Sequence, residues 1–239
     1  MNVSPRENQL MEPVLVRRGL AASAAILIAA TCLPVLLDLG RRSLTVHMAQ
    51  YVVLTEIATP LLMYGLAQGP ARLPVPDVVR AVWRFLSTPR VAGPLDLAAL
   101  VVLHLPPIYS AAISSPLGYA LLLVVLLLSA LPLWWAAANA ERIGPYGHVR
   151  VLAFVFLTAV ATNFFGFFLM IASSPWYPVA ADIPSWDWTP LRDQQTAGGV
   201  LVFVPDLVDF VVMGALFIGW LNYEERKTVE QERNARRSA

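Results

Sequence analysis

Cysteine is almost absent: Cys32 is the single one in 239 residues. That excludes an intramolecular disulfide framework and any Cys-x-x-Cys metal or redox pair. Charge is scarce as well. Asp, Glu, Lys and Arg make up 14% of the chain, against about 25% in an ordinary soluble domain. The 17 basic and 16 acidic side chains nearly cancel, to +1, so nucleic acid is not an expected partner. There is no Gly-rich phosphate loop, and no nucleophile, base and acid fall at one level of the chain, so an enzyme is not expected. With six methionines, the chain has no Met ladder of the kind a copper-conducting channel needs. What fills the space is apolar: 57% of residues, with a mean hydropathy of +0.62. That rules out a soluble core of this size, and equally a disordered or low-complexity chain.

Six apolar stretches are each long enough to cross about 30 Å of hydrocarbon. They cover residues 19–37, 44–66, 91–111, 117–138, 149–171 and 197–221. Runs of this length cannot be barrel strands, which alternate over about ten residues. The expected fold is therefore all-α: one bundle of about six transmembrane helices. Residues 1–18 form a cytoplasmic N-terminal segment, 19–221 the membrane domain, and 222–239 a charged cytoplasmic tail, helical at first and then frayed. The segments 67–89 and 173–196 are Pro-rich and read as irregular loops. Ala29-Ala30-Thr31-Cys32 resembles a lipoprotein cleavage site. Thr is a poor residue before the cysteine, and the first helix is expected to be retained.

The cations set the orientation. One side would hold Arg6, Arg17 and Arg18, the second-loop Arg72, Arg80, Arg84 and Arg90, Arg142 and Arg150, and the basic tail from Arg226 onward. The other would hold only Arg41, Arg42 and Arg192. This bias places both termini in the cytoplasm of a bacterial plasma (inner) membrane, with membrane lipid as the surrounding partner. The Trp134-Trp135 pair and the other tryptophans near helix ends read as an aromatic belt.

Ionisable groups inside a bilayer are costly and point to function. His47 lies at the outer end of the second stretch, His104 near the outer end of the third, and Asp193 at the outer entry to the sixth. The topology brings all three to one depth, where two imidazoles and a carboxylate suit a transition metal. Met48 adds a weak soft donor, but adjacent helical residues point about 100° apart. His148 is across the membrane and reads as a helix-end residue. Glu56 is nine residues beyond His47 and faces the opposite side of its helix. Asp206 and Asp209 are three apart, on nearly one helix face, after Pro205. They could be packing groups, a proton relay or a surface for a partner helix. Asp96 would snorkel or pair with Arg90, and Asp38 would pair with Arg41 or Arg42.

Several segments then fall into one order: His47-Met48-Ala49-Gln50-Tyr51, Pro60-Leu61-Leu62, His104-Leu105-Pro106, Tyr109, Pro116-Leu117, Trp134-Trp135, Asp193-Gln194-Gln195, Gly198-Gly199 and Glu224-Glu225-Arg226. This series, over residues 44–227, resembles the multi-span CtaG-type family of cytochrome c oxidase assembly proteins associated with caa-type oxidases. The resemblance implies a polytopic membrane protein that assists assembly, with haem-copper oxidase subunits or other respiratory subunits as partners and copper at the outer face. His47, His104 and Asp193 match family positions. The family's second His and second Met in that motif are here Tyr51 and Val52, and a family His before the Trp pair falls near Leu123, so copper binding is not secured. A metal-free accessory subunit is the alternative. A haem held axially by His47 and His104 is disfavoured, because one His pair separated by a long loop is thin evidence for it.

Overall fold

The computed structural model describes residues 5–67, 76–144, 146–177 and 187–238. Among these residues all regular structure is helical. α1 (Pro5–Thr31) is followed by α2 (Pro34–Arg42) and α3 (Leu44–Val52). A π-helical turn, Val53–Ala58, leads without a gap into α4 (Thr59–Ala67). α5 (Asp77–Leu86), α6 (Pro89–Leu103), α7 (Pro106–Ile113) and α8 (Pro116–Ala138) come next, then a 3₁₀ turn, Ala140–Ile143. α9 (Gly147–Ile171) and α10 (Pro190–Ser238) complete the chain.

Among the described residues four helices are long and apolar enough to cross a membrane: α1 from Val14, α8, α9 and α10. A fifth is possible if α5 and α6, bent by 76° at their junction, act as one broken span. The run 44–67 is helical throughout but divided by its π turn.

Proline explains the divisions. Pro34, Pro89, Pro106 and Pro116 each open a helix at its first turn, where the missing N–H costs nothing. The preceding residues Leu33, Thr88, Leu105 and Ser115 are extended, as a following proline requires. The stretches 19–37 and 91–111, expected as continuous helices, are thus each cut in two, at Cys32-Leu33 and at His104-Leu105. Pro60 acts differently. Lacking an N–H, it leaves a carbonyl of the preceding turn without its helical partner, and the chain widens into the π turn. The Thr59 hydroxyl donates to Leu54 O at 2.7 Å, and Thr55 to Tyr51 O at 2.9 Å.

Three expectations need correction, the first being that α10 opens at Pro190, inside the segment 173–196 read as an irregular loop. Within 67–89, α5 is a helix with apolar Val78, Val79, Val82 and Phe85 exposed beside Arg80 and Arg84. At the other end of the chain, the tail stays helical to Ser238. The Pro-rich 178–186, with Trp186, falls outside the described residues.

α9 and α10 pack along most of their shared length. A Cβ at Gly198 would strike the Gly166 carbonyl, and one at Gly166 would crowd the Gly198 carbonyl. Small residues of this kind let membrane helices approach backbone to backbone.

The interior has two apolar clusters stacked along the bundle. The first gathers Met48, Tyr51, Leu54, Leu100, Tyr109, Tyr119, Leu123, Leu169 and Leu201. The second gathers Met63, Ala92, Leu133, Trp134, Val155, Val212 and Leu216. Between them on four elements lie polar residues: Glu56 after Leu54, Asp96 between Ala92 and Leu100, Thr162 between Val155 and Leu169, and Asp209 between Leu201 and Val212.

Candidate functional site

The first cluster holds the histidines. His47 sits one turn into α3, with its backbone N–H bonded to Ser43 O. His104 is the C-cap of α6, where Pro106 stops the helix. The two helices bring the rings together in full burial. His47 Nε2 and His104 Nε2 are 3.1 Å apart. Tyr109, also fully buried, stacks on His104 at 6.1 Å and tilts against His47 at 4.9 Å. Its hydroxyl is buried without a hydrogen-bond partner.

The surrounding network dictates the tautomer of each ring. Gln50 Nε2 donates to the Thr31 carbonyl at 3.0 Å, which identifies Gln50 Oε1 as the acceptor. Tyr119 spends its one hydroxyl proton on that Oε1 at 2.6 Å. Its oxygen can then only accept from His47 Nδ1–H, at 3.0 Å. On the other side, His104 Nδ1–H donates to Leu100 O at 2.7 Å. Both neutral rings therefore carry their proton on Nδ1 and a bare lone pair on Nε2. Two lone pairs aimed at each other across 3.1 Å repel unless something positive lies between them: a proton or a metal ion. Imidazoles whose outer N–H is tied to a carbonyl or another fixed acceptor are the usual form of metal-ligating histidine. Gly40 of α2 completes the cradle, since a Cβ there would collide with both Gln50 Oε1 and the Tyr119 hydroxyl.

Asp193 was expected as a third ligand and serves another purpose. Its Oδ1 accepts from the Ser43 hydroxyl at 2.7 Å and from Thr45 N at 3.1 Å. Its Oδ2 accepts from Leu44 N at 2.6 Å, and its carbonyl from the Thr45 hydroxyl at 2.9 Å. A carboxylate of α10 thus caps the free N–H groups at the start of α3. Gln194 Oε1 accepts from Trp176 N, while Gln195 Nε2 donates to Ala172 O. The Asp-Gln-Gln run therefore fixes the entry of α10 and, through α3, the height of His47. Among the described residues no group of three or more His, Cys, Asp or Glu is placed to hold a metal. The expected trio is a pair.

Tyr51 and Leu123 line the same cluster. Tyr51 meets His104 edge-on, with ring centroids 5.7 Å apart, and Leu123 is buried in that cluster too. Met48, fully buried, belongs to it as well. Sequence reasoning named Gln50 and Tyr109 only as parts of a motif, without a role, and did not single out Tyr119, though these set the chemistry of the pair. The signal for two of them was available: Gln50 is one turn from His47, and Tyr119 is one turn from Leu123.

The remaining intramembrane polar groups divide. Glu56, Asp96 and Asp209 line one small enclosed cavity with Trp134, Thr158 and Thr162. Asp96 was expected to snorkel or to pair with Arg90, but it is buried and makes no ion pair with it. Asp209 points inward, whereas Asp206 is exposed on the outer face, accepting from Asn163 Nδ2 at 2.7 Å. Three residues of α-helix rotate a side chain by about 60°, enough here to separate the two across the edge of the buried face. Asp38 pairs with Arg42 at 3.0 Å, while Arg41 donates to Ile113 O. His148 is in the first turn of α9, against Gly219 of α10.

Residues 10–223 match the family model described as cytochrome c oxidase caa3 assembly factor (Caa3_CtaG). The chain belongs to the Caa3_CtaG family. No curated protein and no solved structure shows significant similarity to it. Membership supports an assembly role for cytochrome c oxidase as the activity of the family, and partners among the oxidase's components in general. In this Caa3_CtaG protein His47 pairs with His104, and Tyr51 and Leu123 lie in the same buried cluster.

Proposed function

We propose that this Caa3_CtaG protein spans a bacterial inner membrane six times, with both termini in the cytoplasm. In that membrane it handles copper for the maturing oxidase, as cargo bound between His47 and His104 at the outer face. Six spans follow if α1–α2, the run 44–67, α6–α7, α8, α9 and the apolar part of α10 each cross once. The arginine bias between the two sides supports the orientation. Asp193 and the Gln pair contribute position, Met48 lies one residue from the site, and neither nucleophile nor general base is required, in keeping with a protein that is not an enzyme.

The observation that carries the copper reading is the pair of Nε2 lone pairs held face to face at 3.1 Å by Tyr119 and Leu100 O. Imidazole suits copper, and with metal–imidazole bonds of about 2.0–2.1 Å one ion would sit between the two nitrogens once the rings part to about 4 Å. With two nitrogens and no carboxylate, the donor set fits a low-coordinate Cu(I) ion and is two ligands short of a closed zinc site. The apolar shell excludes water that would complete a larger coordination sphere. A porphyrin between the rings is disfavoured, since its plane would have to displace Tyr109 and Tyr51, which pack against the imidazoles.

Copper stoichiometry of the purified protein under reducing conditions tests this. Copper retained by the parent and lost in both His47→Ala and His104→Ala is the expected result. No copper in the parent overturns the metal reading. A proton shared by the two rings would satisfy the same geometry, and the shortage of ligands favours that second reading. The protein would then be a metal-free accessory subunit of a respiratory haem-copper oxidase complex, co-purifying with it in constant ratio.

A further inference from the structure

Asp206 is an exposed residue of α10, and it lies among exposed Phe203, Leu207 and Phe210. Leu207 is 73% and Phe210 78% exposed, so this face carries no other part of the described chain. At about 1.5 Å per residue, Asp206 is at least about 15 Å along the helix from Gln195 at one end and Glu224 at the other. In a span of that length it sits deep in the hydrocarbon, where an ionisable side chain almost always faces protein or water and not lipid. Its one hydrogen bond is from Asn163 on α9, which is anchored beside it by the close approach at Gly166 and Gly198. That amide orientation is the one that places a donor on the carboxylate. Asn163 Oδ1 is left buried without a partner. Asn163 therefore gives its amide nitrogen to Asp206 while its own oxygen goes unpaired, and Asp206 stays exposed on the outside of the bundle. No lysine or arginine occurs in residues 197–221, so a second copy packed on this face would add another carboxylate and no cation.

We propose that the α9–α10 face around Asp206 is the docking surface for a transmembrane helix of another protein. That helix presents a cationic or amide donor at mid-bilayer, and its apolar side chains cover Phe203, Leu207 and Phe210. Asp206 supplies the specificity: a helix without the donor would leave the carboxylate unsatisfied in hydrocarbon, which costs far more than a mismatched apolar contact. That this partner is an oxidase subunit rests on the assembly reading above; the docking surface itself does not.

The test uses the full chain in the membranes of cells that make the oxidase. A photo-activated benzoyl-phenylalanine is placed at Leu207 or Phe210, and at exposed Leu121 on α8 as the control face. The expected result is a protein adduct from the two α10 positions and not from Leu121, mapping to a transmembrane segment that bears a donor residue at matching depth. Asp206→Leu should lower the adduct yield about fivefold, the scale of one interhelical hydrogen bond. Asp206→Asn should restore most of it, and an unchanged thermal midpoint for Asp206→Leu would show that the fold is intact. Adducts to lipid alone, adducts to a second copy of this chain, or a yield indifferent to Asp206→Leu overturn the proposal. An adduct to a donor-bearing helix of a protein outside the oxidase keeps the docking surface and overturns the assembly reading.

Discussion

Tyr119 decides which nitrogen of His47 is free. Its hydroxyl proton goes to Gln50 Oε1 at 2.6 Å, so its oxygen must accept from His47 Nδ1 at 3.0 Å. Without it, the ring can carry its proton on either nitrogen, and the Nε2 lone pair is no longer guaranteed. Removing such an outer partner from a metal-ligating histidine costs about 10–100-fold in metal affinity. Tyr119→Phe should therefore weaken Cu(I) retention about tenfold or more in a competition with a soluble Cu(I) chelator. His47 itself stays in place on α3. Unchanged retention would show that the tautomer is fixed by something else.

Asp193 makes the contrasting case. It caps α3 through Leu44 N and Thr45 N and holds the Ser43 hydroxyl, without touching either imidazole. Loss of a capping side chain alone costs about 0.5–2 kcal/mol, and stranding buried donors adds to that. Asp193→Ala should lower stability by at least about 2 kcal/mol, seen as a fall in the thermal midpoint in detergent. Asp193→Asn, which keeps acceptor oxygen on one side, should lose less. Copper retained by whatever fraction of Asp193→Ala remains folded would confirm the structural role. A copper loss at unchanged stability would instead return Asp193 to the ligand set.

The same contrast explains what could be read from the sequence. Hydropathy and the cation bias depend on composition along a line, so an all-helical membrane chain and the shared depth of His47, His104 and Asp193 were legible. Convergence on a point is not a linear property. Asp193 lies at the right level, yet its oxygens go to the nearest free N–H groups, and helix-start donors cannot be counted before the breaks at Ser43 and Leu33 are known. Pro34 announced the break at Leu33, and Pro106 the one at Leu105; no proline announced the one at Ser43. Treating the stretches as whole helices concealed that His104 would be a C-cap with its Nδ1 over Leu100 O. The opposite error was made with Asp96. A residue near a helix end was assigned to the surface, although α6 begins at Pro89 and buries Asp96 two turns in.

Tyr51 tests whether the site is a diminished version of a fuller one. Its ring lies edge-on to His104 at 5.7 Å, one turn beyond His47 on the same helix face. An imidazole there would lie close enough to add a third nitrogen donor. If copper is bound by the pair, Tyr51→His should tighten Cu(I) binding by about tenfold or more, and X-ray absorption should report an added nitrogen neighbour. His47→Ala in that background should leave a weaker, two-nitrogen site. No gain from Tyr51→His would mean that the pair is closed around a proton.

Glu56, Asp96 and Asp209 supply the last prediction. They converge from three elements on one enclosed cavity, and no lysine or arginine lines it. Removing even one carboxylate from water without a countercharge costs several kcal/mol, and three ionised together would repel one another as well. If all three are protonated, each differs little from its amide in size and hydrogen-bonding groups. Glu56→Gln and Asp209→Asn should accordingly leave the thermal midpoint unchanged or raise it, and the double variant should be no less stable than either single one. Infrared difference spectra should locate protonated carboxyl stretches in the parent that shift in D₂O and diminish in each variant. A sharp destabilisation on amide substitution would mean that at least one carboxylate is ionised in the fold and is balanced by a positive charge, the kind of occupant that a cavity lined by Thr158, Thr162 and three acids would admit.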